Sequence, residues 1–450
     1  MVTDYIVAIY LGTSHLVGMV GKKNSRGALS IVAEEVKESS GCIRRGRIHN
    51  VAETAARIKR LVLELQNKLP NLRIEKVYIG IGGQSLRSID HSEVRTIRAD
   101  AFVSEEDIQL LNEQCKSYRP EMSDVLAIAP PVYYLDDKRT SNPVGVSCRR
   151  IEARYKLVVG QPIIRKSIIN SIEQQAGITV AGIIVSPLAL AEAILTRNEK
   201  ELGCAVIDFG AGVTSIVVYK NGYLAYLGVI PLGSDLITRD LTSLVESEAE
   251  RLKITYGNAK PNENQEGSIS LDTVDGIGTR KINLSEIDMV VEARAKEIVQ
   301  NVYARIEENK LTNALGAGIV LVGGGASLKN LQELIRDTFK LQEVRYSAIR
   351  KGLVDDASDK VSDPRYMSAL SLLLQGTESC VGPIRRKQEE PAPAPPVQPV
   401  EPVKEPEPEP ERIEPERDRE EEQRQNRRTQ KRGGIFGSFG RIARGLFDEE

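Results

Sequence analysis

Residues 6–20, IVAIYLGTSHLVGMV, and residues 205–219, AVIDFGAGVTSIVVY, follow one pattern. Each reads as an apolar strand, a tight glycine-containing turn with hydroxyl residues, and a second apolar strand, so each predicts a hairpin. A second pair follows in the same order. Residues 76–86, KVYIGIGGQSL, and residues 318–328, GIVLVGGGASL, both run from an apolar strand into Gly-Gly-x-Ser-Leu. Short apolar strands resemble one another by chance, but two pairs in matching order mark an internal duplication.

The segments between these strands carry helical periodicity. Asn50 and Glu53 predict a capping box ahead of Ala55, Ile58, Leu61, Val62, Leu65 and Leu69, which share one face. Ser186-Pro187 starts a helix with Leu190 and Ile194, and Ser285 and Asp288 are placed to cap a long helix through Ile306. Strands alternating with such helices predict an α/β body duplicated into two lobes. The stretch from about Ser85 to Gly160, with its periodic Val103–Cys115 segment, interrupts the first half and reads as an inserted subdomain.

Composition narrows the class. With 450 residues the chain exceeds one ordinary core, and 41% hydrophobic content can fill two. A net charge of −2 gives no global reason to expect nucleic-acid binding. The five cysteines, Cys42, Cys115, Cys148, Cys204 and Cys380, form no C-x-x-C pair, and three histidines offer little help. Disulfide scaffolds and structural zinc are therefore not expected, and the thiol usage suits a reducing cytosol. Residues 1–10 read as a first strand rather than a signal peptide, and no apolar run approaches the roughly 20 residues needed to span a bilayer.

Near residue 384 the periodic sequence stops. Pro391-Ala392-Pro393-Ala394-Pro395-Pro396 and the Pro-Glu alternation from Glu401 to Glu411 predict a disordered, partly polyproline-II linker over 384–432. Its reach is about 40 Å as a flexible coil and up to about 150 Å extended. Beyond it, Ile435, Phe436, Phe439, Ile442, Leu446 and Phe447 fall at helical spacing on one face, with Arg441 and Arg444 on the other. The basic run Arg424, Arg427, Arg428, Lys431 and Arg432 lies just upstream, and each charge near an anionic lipid surface adds on the order of 1 kcal/mol. Gly437, Gly440 and Gly445 each oppose helix formation by about 1 kcal/mol relative to alanine. The segment predicts a weak, reversible membrane anchor that gains strength in multiple copies. A helix docking in a protein groove is the other use of such a face.

The glycine-rich turns suggest the chemistry. Backbone N–H groups with no side chain in the way suit a polyphosphate, and two facing turns could clamp it. Gly12, Thr13 and Ser14 would contact phosphates from one side, and Gly210, Ala211, Gly212, Val213 and Thr214 from the other. Asp208, at the strand end before the second turn, would hold Mg²⁺ through water. Each turn alone is commonplace, and their pairing is the signal. There is no G-x-x-x-x-G-K-[ST], and a Rossmann turn would lead into a helix rather than a second strand. The third turn, Gly323-Gly324-Gly325, leads through Ser327 as N-cap into a helix bearing Leu328, Leu331, Leu334 and Ile335, and could receive the adenosine. Glu250 and Lys253 share a helix face, a spacing that by itself most often marks a solvated ion pair.

Together these residues resemble the actin and Hsp70 ATPase superfamily, and within it the FtsA family of bacterial cell-division proteins. YIVAIYLGTSHL is similar to that superfamily's first phosphate loop, CAVIDFGAGVTSIVVY to the second, and GIVLVGGGASLKNL to the adenosine motif. The Asn142-Pro143-Val144-Gly145 stretch looks like part of the inserted subdomain that FtsA carries in place of an actin subdomain. The resemblance implies an actin-like, two-lobed, duplicated ATPase fold with an inserted subdomain and a disordered tail. It also implies that Glu250 and Lys253 flank the nucleoside.

On this basis the first lobe core takes residues 1–84, 161–195 and 347–383, with the insertion at 85–160. The second lobe core takes 196–227 and 301–346, with a smaller subdomain at 228–300. The linker spans 384–432 and the membrane-targeting helix 433–450. The family implies self-association into filaments, other divisome partners, and a place on the cytoplasmic face of the membrane at the division site. It also implies that the 228–300 subdomain binds the C-terminal peptide of the tubulin-like FtsZ.

One position departs from the pattern. Tyr10 stands where the superfamily has Asp or Glu, and a neutral phenol cannot neutralise Mg²⁺ or orient its water shell. Mg-ATP binding with slow or absent hydrolysis is the expectation. The alternatives are a working sugar kinase or chaperone-type ATPase, which Tyr10 and the terminal anchor oppose, and a pilus-assembly or shape-determining relative, which the insertion and tail oppose.

Overall fold

The computed structural model describes residues 5–383, except 26, 40, 99, 246–247, 262–266, 273–278 and 356–358. The expected linker at 384–432 and terminal helix at 433–450 lie outside the described residues.

Two five-stranded arrangements repeat one topology. In the first, the spatial order is Thr179–Val185, Lys76–Ile81, Tyr5–Leu11, His15–Lys23 and Leu29–Glu38. Tyr5–Leu11 pairs antiparallel with His15–Lys23 and parallel with Lys76–Ile81. In the second, Val344–Tyr346, Ile319–Val322, Cys204–Phe209, Thr214–Lys220 and Tyr223–Ile230 follow the same order with the same pairing senses. The two sequence echoes are thus the two central parallel pairs and their hairpins, and the duplication is structural.

Strand periodicity sends alternate residues of the second sheet to different cores. Val206, Val217, Val320 and Val322 enter the larger core, whereas Ala205, Ile207, Ile216, Val218, Ile319 and Leu321 enter a second one. Both faces are covered, which explains why these strands read as unbroken apolar runs. The larger core also takes Ile6 and Ile9 of the first sheet, with Leu190 and Ile194 of helix Ser186–Ile194 and Leu370 and Leu373 of helix Pro364–Gln375. Helix Ser186–Ile194 is apolar on almost every side, as a helix enclosed between layers must be. Helix Val51–Asn67 closes the outer face of the first sheet. Its Leu61 and Leu65 lie so near Gly18 that a Cβ there would meet them at 2.6 and 2.8 Å.

The insertion has its own core of Ile97, Val103, Leu111, Cys115, Ile151, Tyr155 and Leu157. Its strand Arg87–Thr96 pairs with Arg150–Gly160 along ten positions. That strand also meets the edge of the second lobe's sheet at Gly228 and Arg87, and the Leu227 N–H donates to Ser88 Oγ at 2.9 Å. The insertion interrupts the first half in sequence but extends the sheet of the second. The smaller subdomain packs Ile237, Leu241, Leu252, Ile282, Ile287 and Val291 around the first turns of helix Leu284–Glu308.

Three capping expectations are corrected. Asn50 accepts the Glu53 N–H at 3.0 Å, but Glu53 turns its carboxylate to Arg57 and the Asn50 N–H goes to the Cys42 carbonyl, so only half of the box forms. The long helix begins at Leu284 with Asn283 as its N-cap residue, which places Ser285 and Asp288 inside the helix rather than at its cap. After the third glycine turn the chain makes a short 3₁₀ turn through Ser327, an extended Leu328 and a left-handed Asn330. The helix starts only at Leu331, so Ser327 is not its N-cap.

Candidate nucleotide site

The three glycine turns meet around a cavity of about 360 Å³. Tyr10, Gly12, Thr13, Ser14, Asp208, Gly210, Ala211, Glu250, Lys253, Gly323, Gly324 and Gly325, all singled out from the sequence, line it. Three others do not. Gly212 packs beneath Thr13, where a Cβ would meet Thr13 Oγ1 at 2.6 Å. Val213 is buried, and Thr214 is fully buried with its hydroxyl donating to the Leu232 carbonyl at 2.7 Å. They hold the turn together from behind.

Hydrogen bonding within the turns decides which amides are free. The Gly12 N–H donates to the His15 carbonyl at 3.0 Å, and the Gly210 N–H to the Val213 carbonyl at 3.0 Å. These two amides close their own turns. Among the described residues the N–H groups of Thr13, Ser14 and Ala211 have no such partner. Those three are free of protein partners and can serve an anion in place of water. Ser234 and Asp235 donate their N–H groups to the Gly210 and Ala211 carbonyls, each at 2.9 Å, tying the smaller subdomain to the second turn.

The third turn is shaped by close approach. Gly323 has φ +85°, and a Cβ there would meet Asp208 Oδ1 at 2.4 Å and the Phe209 carbonyl oxygen at 2.6 Å. Only glycine fits both constraints. Gly324 has open space on its Cβ side, so this turn offers the cavity a smooth backbone wall. Leu328, Ile254 and Ile237 add apolar surface nearby.

Lys253 is 8% exposed and is the most constrained charge in the cavity. Its Nζ lies 2.7 Å from Glu250 Oε2 and donates to Thr238 Oγ1 at 2.8 Å. Burial pushes the Glu250 carboxyl upward, but Lys253 and Thr238 outweigh it and hold the group below its usual range. The pair is therefore a partly buried, ordered fixture rather than a solvated one.

Asp208 and Tyr10 share the floor. Burial pushes the Asp208 carboxyl up to about 6. Tyr10 is raised far above the usual phenol range by burial and by the charge of Asp208, against the opposing effect of Ser368. The phenol stays neutral at physiological pH. A floor carboxyl disfavoured as an anion, in a cavity that three unpaired amides also line, suits an Mg²⁺ that comes with phosphates and waters as its main ligands. Among the described residues no group of three or more His, Cys, Asp or Glu side chains could hold a metal directly.

The sequence did not point to Pro364, Arg365 and Ser368, which reach the cavity from the start of helix Pro364–Gln375. Asp363-Pro364 is a recognisable helix start, with the Asp363 side chain accepting the Arg365 N–H at 2.9 Å, but only folding brings it here.

Comparison with known proteins follows the same division of the chain. A family model described as "Cell division protein FtsA" matches residues 205–371, and one described as "SHS2 domain inserted in FTSA" matches residues 83–159. The cell division protein FtsA of Porphyromonas gingivalis is 33% identical over 390 residues, covering 84% of this chain and 80% of that protein. That of Neisseria meningitidis serogroup B is 30% identical over 378 residues, covering 82% and 89%. Among solved structures, a PilM-PilN type IV pilus biogenesis complex aligns with a TM-score of 0.58 at 17% identity, covering 82% of this chain and 98% of that one, a likeness of fold.

Proposed function

The chain belongs to the FtsA family of cell-division proteins and has its actin-like fold with the inserted SHS2 domain, and from that premise we propose that it binds Mg-ATP and links FtsZ to the cytoplasmic membrane at the division site. The observation that carries nucleotide binding is the cavity itself, where two phosphate-type turns with unpaired amides face a glycine wall and a buried Lys253 paired with a half-exposed Glu250. Thr13, Ser14 and Ala211 would take the phosphate oxygens, Asp208 the hydrated cation, and Lys253 with Glu250 the nucleoside. Bound Mg²⁺ would supply charge neutralisation of the polyphosphate.

Hydrolysis is slow or absent in this proposal. The neutral Tyr10 occupies the place beside Asp208 where a second carboxylate would orient the cation's waters, and Asp208 alone leaves that task half done.

The remaining parts rest on the family and on the tail sequence. The smaller subdomain around 228–300 would bind the FtsZ C-terminal peptide, and the bodies would self-associate into filaments that engage other divisome proteins. The Ile435–Phe447 face would lie on anionic lipid, with each copy weak and a filament of copies firm. Among the described residues no helix is long and apolar enough to cross a membrane. Liposome co-sedimentation tests the scheme, using the intact chain and a version ending at Arg432, each with and without Mg-ATP and an FtsZ C-terminal peptide. The intact chain should pellet with phosphatidylglycerol vesicles and carry the peptide with it, whereas the shortened chain should stay in solution. Equal pelleting of both would remove the anchor from the scheme, and a peptide left in the supernatant would remove the link.

A further inference from the structure

A second cavity of about 830 Å³ lies behind the phosphate turns, and its charge is lopsided. Arg44, Arg45 and Arg47 line one wall and Arg239 the other, against a single carboxylate, Asp235. None of the four arginines forms an ion pair among the described residues, and the only side-chain hydrogen bond among them is Arg45 to Gln84 Oε1 at 3.4 Å. Four guanidinium groups line one concavity with only the Asp235 carboxyl, which feels Arg239, to offset them, so they repel one another unless an anion joins them.

The arginine wall is built rather than loose. Ile43–Arg44 pairs with Arg47–Ile48 in a minimal hairpin, and Arg45 at φ +49° and Gly46 at φ +68° make its turn. That turn type ordinarily takes Asn-Gly, so an arginine at the first left-handed position costs stability and keeps a guanidinium pointing from the tip. The turn is locked in place. A Cβ on Gly46 would meet the Gly82 carbonyl oxygen at 2.3 Å, and the Gly46 N–H donates to Thr13 Oγ1 at 3.0 Å. Thr13 lines both cavities, as do Ala211 and Asp235.

We propose that this cavity is a second anion site, binding a phosphate-class oxyanion that the arginines grip as planar, bidentate donors. The volume exceeds one oxyanion, so the phosphate could be free or part of a larger molecule. The oxyanion site itself stands independently of nucleotide binding in the first cavity.

Isothermal titration of the full-length chain with inorganic phosphate, without nucleotide, tests it. Arg239→Gln should weaken phosphate binding about tenfold, which is roughly the loss of one charge-assisted contact, and the Arg44→Gln/Arg47→Gln double variant should weaken it by more than tenfold. Lys220→Gln, an exposed cation that lines neither cavity, should leave it within about twofold. Three of these arginines are exposed, so the variants should keep the parent's thermal midpoint, and Arg239→Gln on the opposite wall carries the test should the hairpin variant fail to fold. Parental affinity in the arginine variants, or an equal loss in Lys220→Gln, would overturn the proposal, as would succinate binding as tightly as phosphate. Glycerol 3-phosphate distinguishes the two sources. Tighter binding than inorganic phosphate assigns the site to a phospholipid headgroup, and equal or weaker binding to free phosphate, and either result supports the oxyanion site.

Discussion

Asp208 carries two opposed requirements. Its burial raises the carboxyl to about 6, so between the unfolded value near 3.8 and about 6 the folded protein holds a proton that the unfolded chain has lost. Stability from this group is therefore present at low pH and falls as pH rises toward 6, then stays flat. Asp208→Asn should stabilise the nucleotide-free protein by about 1–2 kcal/mol at pH 7 and flatten that pH window, seen as a raised thermal midpoint. The same change should abolish the Mg²⁺ dependence of ATP binding in a titration. A variant that is both less stable and still Mg²⁺-dependent would contradict the placement of this residue. Tyr10 makes the complementary case. Tyr10→Phe should leave ATP affinity within about twofold and turnover at background, because the phenol never ionises there. Robust turnover of the parent, lost in Asp208→Ala but unaffected by Tyr10→Phe, would show that Tyr10 does not disable the site.

The elements that position the site are those with the least tolerance for change in volume. Helix Ser186–Ile194 is enclosed between the sheets, and Leu190 on it is 1% exposed. Leu190→Ala should cost about 2–5 kcal/mol in a urea titration, with the larger values if neighbouring helices cannot close on the void. The opposite fault arises where the first hairpin meets helix Val51–Asn67. Gly18→Ala would push a methyl against Leu61 and Leu65, and overpacking of this kind costs about 1–3 kcal/mol. A Gly18→Ala protein as stable as the parent would mean that the helix slides outward more easily than its fully buried Leu61 and Leu65 suggest. In the insertion, Ser104 and Asp107 form a reciprocal capping box, so local unfolding there should answer to Ser104→Ala without touching the lobes.

Taken across the described residues, the nucleotide cavity is assembled from six separate stretches of chain, so ligand and fold stabilise one another. Mg-ATP at about a hundred times its dissociation constant should raise stability by about 2.7 kcal/mol and slow amide exchange at Thr13, Ser14 and Ala211 together. Protection of one turn without the other would mean that the turns do not act as a clamp. Much of this assembly is legible in the chain. The paired echoes at 6–20 and 205–219 and at 76–86 and 318–328 became the corresponding strands of two matching sheets, and all the residues picked for the cavity but Gly212, Val213 and Thr214 line it. What stayed hidden depended on contacts between distant segments. Nothing local tells that Thr214 turns inward to the Leu232 carbonyl or that Asp363-Pro364 delivers Arg365 to the same cavity, whereas Gly12 and Gly210 close their own turns over three residues and leave the Thr13, Ser14 and Ala211 amides to the site.

The duplicated α/β plan and the glycine turns are legible in the chain because strand periodicity and turn chemistry are written within a few residues, whereas the absence of an acid at Tyr10 is seen only against the resembled family's pattern. Only the tertiary structure decided that Thr214 turns inward, that the insertion continues the second lobe's sheet, and that Arg44, Arg45 and Arg47 face Arg239 across one cavity. Those facts join residues up to two hundred positions apart, and such meetings are set by how the layers pack and not by any local pattern.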